Sequence, residues 1–164
     1  MADHPRLPKH NPNATVLSIS DWNSLDSTVT KIIVDNGVSE SGLTELDLTR
    51  FSQLKRLEIG DHCFSYVDEL KLIGMNELES VVIGENSFMK NENSYGNSNR
   101  HFYLKNCPKL KSLKIGYDSF SDYSVCEIDN MDALEVIEMG DLDACSYVFA
   151  YGSLELKSII DRNE

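Results

Sequence analysis

Four cysteines and four histidines are the residues of this 164-residue chain best suited to metal binding or nucleophilic chemistry. The cysteines are Cys63, Cys107, Cys126 and Cys145, and no two of them form a Cys-x-x-Cys pair. Zinc and thiol–disulfide sites typically use such closely spaced ligands. The spacing therefore favours neither a metal centre nor a redox site, and we expect buried free thiols of the kind found in reducing compartments.

The remaining catalytic signatures are also missing from the sequence. His4, His10, His62 and His101 are scattered, and none lies beside a serine or cysteine in a recognisable catalytic motif. The chain has neither a Gly-x-x-x-x-Gly-Lys-Ser/Thr phosphate loop nor a Gly-x-Ser-x-Gly nucleophile turn. We therefore expect a protein that is not an enzyme and that uses neither a metal nor a cofactor.

The net charge narrows the class of partner. Fifteen Lys and Arg residues stand against 27 Asp and Glu residues, which gives a formal charge of −12. Such a surplus repels phosphate and argues against binding to nucleic acid or to anionic membranes. No apolar run approaches the roughly 20 residues of a membrane helix, and the first ten residues lack the apolar core of a secretory signal. We expect no membrane insertion, and a cytoplasmic location is slightly favoured over a cell surface, where the chain would be part of a larger protein.

The elements that would position a binding site come from an internal repeat. A first motif, Leu-x-x-Leu-x-Ile-Gly and its apolar variants, begins at residues 54, 78, 110 and 134, with spacings of 24, 32 and 24. Phe64, Phe88 and Phe120 follow the first three copies at a constant offset, where the fourth copy has Ala144. A second motif of alternating apolar residues begins at residues 46, 70, 102, 126 and 154, and a further copy is predicted at 17–25. This pattern predicts two short strands per repeat and little or no regular helix.

The repeat resembles a known family. Its length and the pattern Leu-x-x-Leu-x-Ile-x-x-(His62/Asn86/Asp118)-x-Phe resemble the leucine-rich repeat. The run from Cys107 to Ile115 and the Ile-Gly-x-x-Ser-Phe run that ends at Phe88 resemble the surface-antigen (BspA-like) variety. The resemblance implies a mostly β solenoid, with stacked coils of about 24 residues forming two parallel sheets.

The domain boundaries follow from where the repeat begins and ends. Residues 15–160 are predicted to form a single leucine-rich-repeat domain of about five coils, with an inserted loop near 89–99. Residues 1–14 are predicted to be a flexible N-terminal tail and residues 161–164 a short C-terminal tail. The last coil leaves no room for a separate capping unit, so its edge is expected to be uncapped.

Alternation within each strand separates a core face from a solvent face. Leu54, Leu57, Ile59, Phe64, Leu70, Leu72 and Met75 are predicted to point inward. Stacking then aligns four outward columns of residues. These are Lys31, Arg56, Ser80, Ser112 and Val136; Ile33, Glu58, Val82, Lys114 and Glu138; Asp35, Gly60, Gly84, Gly116 and Gly140; and Asn36, Asp61, Glu85, Tyr117 and Asp141.

The candidate binding residues lie on these columns and on the inserted loop. They are Arg56, Glu58, Asp61, Val82, Glu85, Tyr95, Lys114, Tyr117, Glu138 and Asp141. The glycine column either lets a ligand approach the backbone or begins the bend that leaves each strand. The acidic residues either favour a basic peptide or a cation, or simply keep the protein soluble. No Asp-x-Asp-x-Asp-Gly loop accompanies them, which argues against a calcium site.

A basic island stands out in an otherwise acidic chain. It comprises Arg100, Lys105, Lys109, Lys111 and Lys114. The island either holds an acidic segment of a partner or pairs with Glu79, Glu85, Glu127 or Glu135 on neighbouring coils. The inserted loop with Tyr95 is likewise either a contact surface or a tolerated insertion.

Together the residues predict a non-catalytic protein–protein interaction module. It would bind a protein partner, not identified by the sequence, through its outward strand face. The alternative is a structural or assembly role, in which uncapped ends stack copies of the chain or join neighbouring domains of a larger protein.

Overall fold

The computed structural model describes residues 12–90, 97–140, 147–150 and 152–157, without the side chains of residues 97 and 98. Within these residues the chain forms eleven strands and one short helix. The elements are β1 (Asn13–Val16), α1 (Ile19–Asn23), β2 (Lys31–Val34), β3 (Glu45–Asp47), β4 (Arg56–Ile59), β5 (Glu69–Ile73), β6 (Ser80–Ile83), β7 (Asn97–Lys105), β8 (Ser112–Ile115), β9 (Tyr123–Asp129), β10 (Val136–Met139) and β11 (Ser153–Lys157).

The strands form two sheets, and every strand pair is parallel. Sheet 1 has the order β1-β2-β4-β6-β8-β10, and sheet 2 has the order β11-β9-β7-β5-β3. From β2 onward the chain alternates between the two sheets, so each crossover connects opposite layers. The prediction of a mostly β protein with two parallel sheets and almost no helix is confirmed.

From β3 to β10 the strand register aligns residues 24 or 32 positions apart, and the pairs at the two ends of the sheets have offsets of 18, 25 and 28. In sheet 1, Leu57 pairs with Val81, and Val81 pairs with Leu113. The first two outward columns predicted above are present as written, since Arg56 pairs with Ser80 and Glu58 pairs with Val82. Neighbouring strands therefore present equivalent residues to the same face, and the outward residues form straight rows across the sheet.

The core lies between the sheets and is built from the inward residues of both. All seven residues predicted to point inward from Leu54 to Met75 are buried. Phe64, Phe88 and Phe120 form a ladder with ring centroids 5.5 and 4.7 Å apart. Phe149 extends the ladder, with its centroid 5.0 Å from that of Phe120. The constant offset of the repeat predicts the fourth ladder position at Ala144, which lies outside the described residues. The ring that continues the ladder is that of Phe149, five positions later.

The turns after the sheet 1 strands have a recurring backbone conformation. His62, Asn86 and Asp118 have φ angles of 56°, 52° and 56°, and the phenylalanine two positions after each is also left-handed. Asn, Asp and His tolerate this conformation better than most residues, which explains their position in the repeat. Serines link successive turns: Ser87 Oγ accepts the Cys63 N–H at 3.0 Å, and Ser119 Oγ accepts the Ser87 N–H at 2.9 Å.

One predicted strand is a helix. The segment from Leu17 to Leu25 was predicted to copy the second motif, but it contains α1. Ser18 caps this helix by accepting the Asp21 N–H at 3.2 Å, and the Asp21 carboxylate accepts the Leu17 N–H at 3.0 Å. Such reciprocal capping stabilises a helical turn where apolar spacing alone suggests a strand. Trp22 of α1 packs edge-to-face on Phe64, with ring centroids 5.5 Å apart.

The first strand begins earlier than the predicted domain boundary. β1 begins at Asn13, so its first two residues lie inside the stretch predicted as a tail, and it pairs with β2 from that residue on.

In the part of the chain that the structure describes, no helix has the length and apolar character needed to span a membrane.

Candidate interaction surface

The outer face of sheet 1 carries five of the ten predicted binding residues. Arg56 and Glu58 lie on β4, Val82 on β6, Lys114 on β8 and Glu138 on β10. Their inward neighbours along the strands are core residues such as Leu57 and Ile83, so alternation fixes the five on the solvent side. The structure therefore brings these five predicted residues together on one face.

The charged residues of this face are arranged as local pairs. Lys31 Nζ lies 2.9 Å from Glu58 Oε1, and Lys114 Nζ lies 2.9 Å from Glu138 Oε2. The Arg56 Nε donates a long hydrogen bond of 3.5 Å to Ser80 Oγ. Exposed pairs of this type contribute about 0–1 kcal/mol to stability each. They can therefore exchange partners with an incoming protein at small energetic cost.

The centre of the face has one exposed apolar side chain. Val82 is 37% exposed, although it lies on one of the middle strands of the sheet. The small side chains of Ser80 and Ser112 lie beside it in the next row. Toward one end of the sheet, a groove of about 410 Å³ is lined by Thr15, Ile33, Glu58 and neighbouring residues. The middle of the face is therefore a single apolar residue with small polar and charged neighbours.

The predicted residues Asp61, Glu85 and Tyr117 follow the strands, in the turns. Asp61 Oδ1 accepts the Glu85 N–H at 2.8 Å, and the Asn36 side chain accepts the Asp61 N–H at 2.8 Å. The carbonyl oxygen of Tyr117 accepts the Asn86 N–H at 2.8 Å. These contacts connect successive turns, so Asp61 has a structural use, while Glu85 remains exposed at the edge of the face.

The glycine column serves close packing between turns. A Cβ atom on Gly84 would lie 2.6 Å from the carbonyl carbon of Gly60, and one on Gly116 would lie 2.5 Å from that of Gly84. Neither approach leaves room for a side chain. Of the two interpretations drawn from the sequence, these contacts favour the bend and the packing of adjacent turns over the approach of a ligand.

Two candidate residues cannot be placed. Tyr95 and Asp141 lie outside the described residues, as does most of the inserted loop. The contribution of the loop to the surface therefore stays a prediction.

The basic island does not exist as a surface. Arg100 is fully buried, whereas Lys105 lies on the outer face of sheet 2 and Lys114 on that of sheet 1. Lys105 forms an ion pair with Glu127, as one of the two interpretations expected, but Lys109 pairs with Glu77 at 2.8 Å. Residues close in sequence are separated here because successive strands belong to opposite sheets. The position of Arg100 follows from alternation, since it lies two residues before the buried Phe102.

Arg100 of β7 is the centre of a buried polar cluster whose other members come from the segments just before β5 and β9. Its Nη2 donates to the carbonyl oxygens of Ser65 and Val67, both at 2.8 Å. Its Nη1 pairs with Asp122, and its Nε lies 3.1 Å from Asp68 Oδ1 without the angle of a hydrogen bond. Arg100 is in a bulge of β7, where the register with β9 shifts between Asn97 and His101.

The outer face of sheet 2 contains an aromatic pair that sequence reasoning missed. The Tyr103 hydroxyl lies 3.1 Å from His101 Nδ1, and the two rings meet at 63° with centroids 5.7 Å apart. Burial raises the pKa of Tyr103, and the carboxylates of Glu127 and Glu69 raise it further. The sequence signal for this pair is alternation, because His101 and Tyr103 alternate with the buried Phe102 and Leu104.

The cysteines are buried in the core. Cys63, Cys107 and Cys126 are free thiols, and Cys145 lies outside the described residues. Burial raises the pKa of all three thiols, that of Cys126 to about 12. Thiols with such pKa values are poor nucleophiles and poor metal ligands at neutral pH. Among the residues whose placement is known, no three His, Cys, Asp or Glu side chains come together as a metal-binding set.

Comparisons with known proteins add no relative. No protein-family model matches the chain, no curated protein matches it, and no solved structure matches it.

Proposed function

We propose that the chain folds as a leucine-rich-repeat solenoid of the surface-antigen variety, in a single domain of about five coils. Strand partners 24 residues apart support a coil of about 24 residues, and partners 32 residues apart support the same coil with an inserted loop. The recurring left-handed turns at His62, Asn86 and Asp118 and the phenylalanine ladder support equivalent coils. Each coil has too few strands to be stable alone, so its stability comes from its neighbours.

The function we propose is non-catalytic recognition of a protein partner through the outer face of sheet 1. One observation supports it above the others: six aligned strands present an exposed face with Val82 at its centre, and no described element covers that face. A parallel sheet is usually covered on both sides, so an open face of this kind is available for binding. Arg56, Glu58, Lys114 and Glu138 provide the charged surroundings that give specificity.

Site-specific photocrosslinking tests this function. A photoreactive benzoylphenylalanine in place of Val82 is expected to give a discrete adduct in an extract of the source cells. The charge reversal Arg56→Glu, two strand positions away in the neighbouring strand, is expected to abolish that adduct. The matched control carries the same group at Thr49, an exposed residue after β3 of sheet 2. Adducts of equal yield at both positions, or an adduct insensitive to Arg56→Glu, would contradict the proposal.

A specific observation favours assembly as a second function. Val136, Ile137, Leu154 and Leu156 on the last strands of the two sheets are 38–59% exposed. A groove of about 300 Å³ between these strands is lined by Met131, Leu134 and other apolar residues. Toward the opposite end, Trp22 of α1 packs on Phe51 and Phe64 with ring centroids 5.9 and 5.5 Å apart. A rise in mass with protein concentration that Leu156→Lys removes would support assembly through this end.

A further inference from the structure

The outer face of sheet 2 is a second exposed surface, separate from the one proposed above. It is formed by the alternate residues of five parallel strands that point away from the core. The register aligns them in three rows. These are Glu45, Glu69, His101, Val125 and Ser153; Asp47, Lys71, Tyr103, Glu127 and Glu155; and Ile73, Lys105, Asp129 and Lys157.

The two outer faces differ in charge. On sheet 2 the three rows contain six carboxylates against three lysines, whereas the outer face of sheet 1 contains Glu58 and Glu138 against Lys31, Arg56 and Lys114. The acidic surplus of the strand faces is therefore on sheet 2. The lysines there are already paired, since Lys71 Nζ lies 3.0 Å from Glu45 Oε1 and 3.1 Å from Glu69 Oε1. This leaves net negative charge across the face, including Asp47, whose pKa is lowered chiefly by a backbone hydrogen bond from Thr49.

The centre of this face is aromatic. Tyr103 and His101 lie on β7, the third of the five strands. Lys105 Nζ lies 5.2 Å from the centroid of the Tyr103 ring, which shows that the ring can lie beside a cation in this environment. Binding hot spots are enriched in tyrosine near the geometric centre of an interface. Tyr103 has that position, with Glu127 directly beside it on β9. On β5, Lys71 is directly beside it and Glu69 lies diagonally across, opposite His101.

We propose that the outer face of sheet 2 docks an arginine-rich segment of a protein partner, with Tyr103 as its central anchor. A guanidinium group stacks on a tyrosine ring and binds carboxylates in a bidentate manner, which an ammonium group cannot do. Glu69 and Glu127 lie on the strands to either side of Tyr103 and supply the carboxylates. The side-chain pairs that hold them are exposed or half-buried, so an incoming guanidinium can compete for them.

An NMR titration of the full chain with a hexa-arginine peptide tests the docking surface. Amide shift changes are expected to concentrate at residues 69–73, 101–105 and 125–129. Tyr103→Thr, which keeps a good strand-forming residue, is expected to weaken peptide binding by about tenfold. Glu127→Gln provides a second, independent variant and is expected to weaken it by a similar factor. Circular dichroism checks that both variants are folded.

The matched control is Glu40→Gln, the same charge change at an exposed residue that lies on neither strand face, and it is expected to leave the affinity within about twofold. Equal loss in Glu40→Gln and Glu127→Gln, or shift changes spread over sheet 1, would overturn the proposal because charge alone would then account for binding. The absence of any binding at low salt would also overturn it. A separate titration with spermine distinguishes a protein segment from a free polyamine: displacement of the peptide from Tyr103 by equimolar spermine would overturn the choice of an arginine-rich segment.

Discussion

Gly84 lies where two neighbouring turns come closest. A Cβ atom there would be 2.6 Å from the carbonyl carbon and 2.7 Å from the carbonyl oxygen of Gly60, and the backbone leaves no room for a shift. Gly84→Ala is therefore expected to lower the free energy of unfolding by about 2 kcal/mol or more, measured by urea denaturation. Gly42→Ala is the matched control, because nothing lies within 4 Å of a Cβ at that glycine. Equal effects of the two variants would contradict the packing role of the glycine column.

The Cys126 thiol links stability to alkaline pH. Its pKa is about 12 in the folded chain and 9.0 in the ordinary state, since burial disfavours the thiolate. Between these two values the unfolded chain holds fewer protons than the folded chain, so the free energy of unfolding falls as the pH rises. We expect the urea midpoint to fall more steeply from about pH 9 upward in the natural chain than in Cys126→Val. Parallel pH profiles of the two proteins would contradict this coupling.

At the scale of elements, a buried ion pair joins Arg100 of β7 to Asp122, the residue just before β9. Arg100 and Asp122 are both almost fully buried, and Asp122 Oδ2 also accepts the Lys90 N–H at 3.2 Å. Removing one charge leaves the other buried and unpaired, so Asp122→Asn or Arg100→Met is expected to cost about 3–5 kcal/mol in thermal or urea unfolding. The double variant Arg100→Met/Asp122→Leu is expected to recover part of this loss, because it leaves no buried charge.

The exposed pair Lys114–Glu138 provides the comparison for that prediction. Its two side chains are about half exposed, and Glu138→Gln is expected to change the unfolding midpoint little. A loss in Glu138→Gln as large as in Asp122→Asn would show that burial is not what makes the Arg100 cluster sensitive.

The strands were predictable, but some local exceptions were not. Period-two alternation identifies both strand types because residues such as Leu57 and Leu70 must be buried on one face only. The same rule fails at α1, where side-chain to backbone hydrogen bonds of Ser18 and Asp21 outweigh apolar spacing. The constant offset that places Phe64, Phe88 and Phe120 does not extend to the last ring of the ladder, because Phe149 comes five residues after the expected position. The prediction of a basic island was wrong because successive strands belong to opposite sheets. Arg100 on β7 and Lys114 on β8 therefore cannot lie on one surface.

The binding surfaces were only partly predictable, because the sequence gives the solvent side of each strand but not the order of the strands in a sheet. Alternation gives the solvent side of every strand, so Arg56, Val82 and Lys114 were found from the sequence. The importance of Tyr103 and His101 depends on β7 being the central strand of sheet 2 and on Glu69 and Glu127 lying beside it. That arrangement follows from the sheet order, which a single sequence does not state directly.

At the scale of the whole molecule, the described residues leave two sheet faces and an apolar patch on the last two strands exposed. The faces of sheets 1 and 2 differ in charge, and the end at β10 and β11 exposes Ile137 and Leu156. Binding through a face needs a single copy of the chain, whereas binding through the end makes the mass depend on concentration. The two proposed functions therefore predict different masses for the protein in solution.

Size-exclusion chromatography with light scattering at several concentrations tests most directly whether the chain works through its faces as a single unit. Recognition through the outer face of sheet 1 predicts a monomer of 18.5 kDa at every concentration. A mass that rises with concentration, and that returns to the monomer in Leu156→Lys, would contradict it and identify end-to-end assembly as the role of the chain.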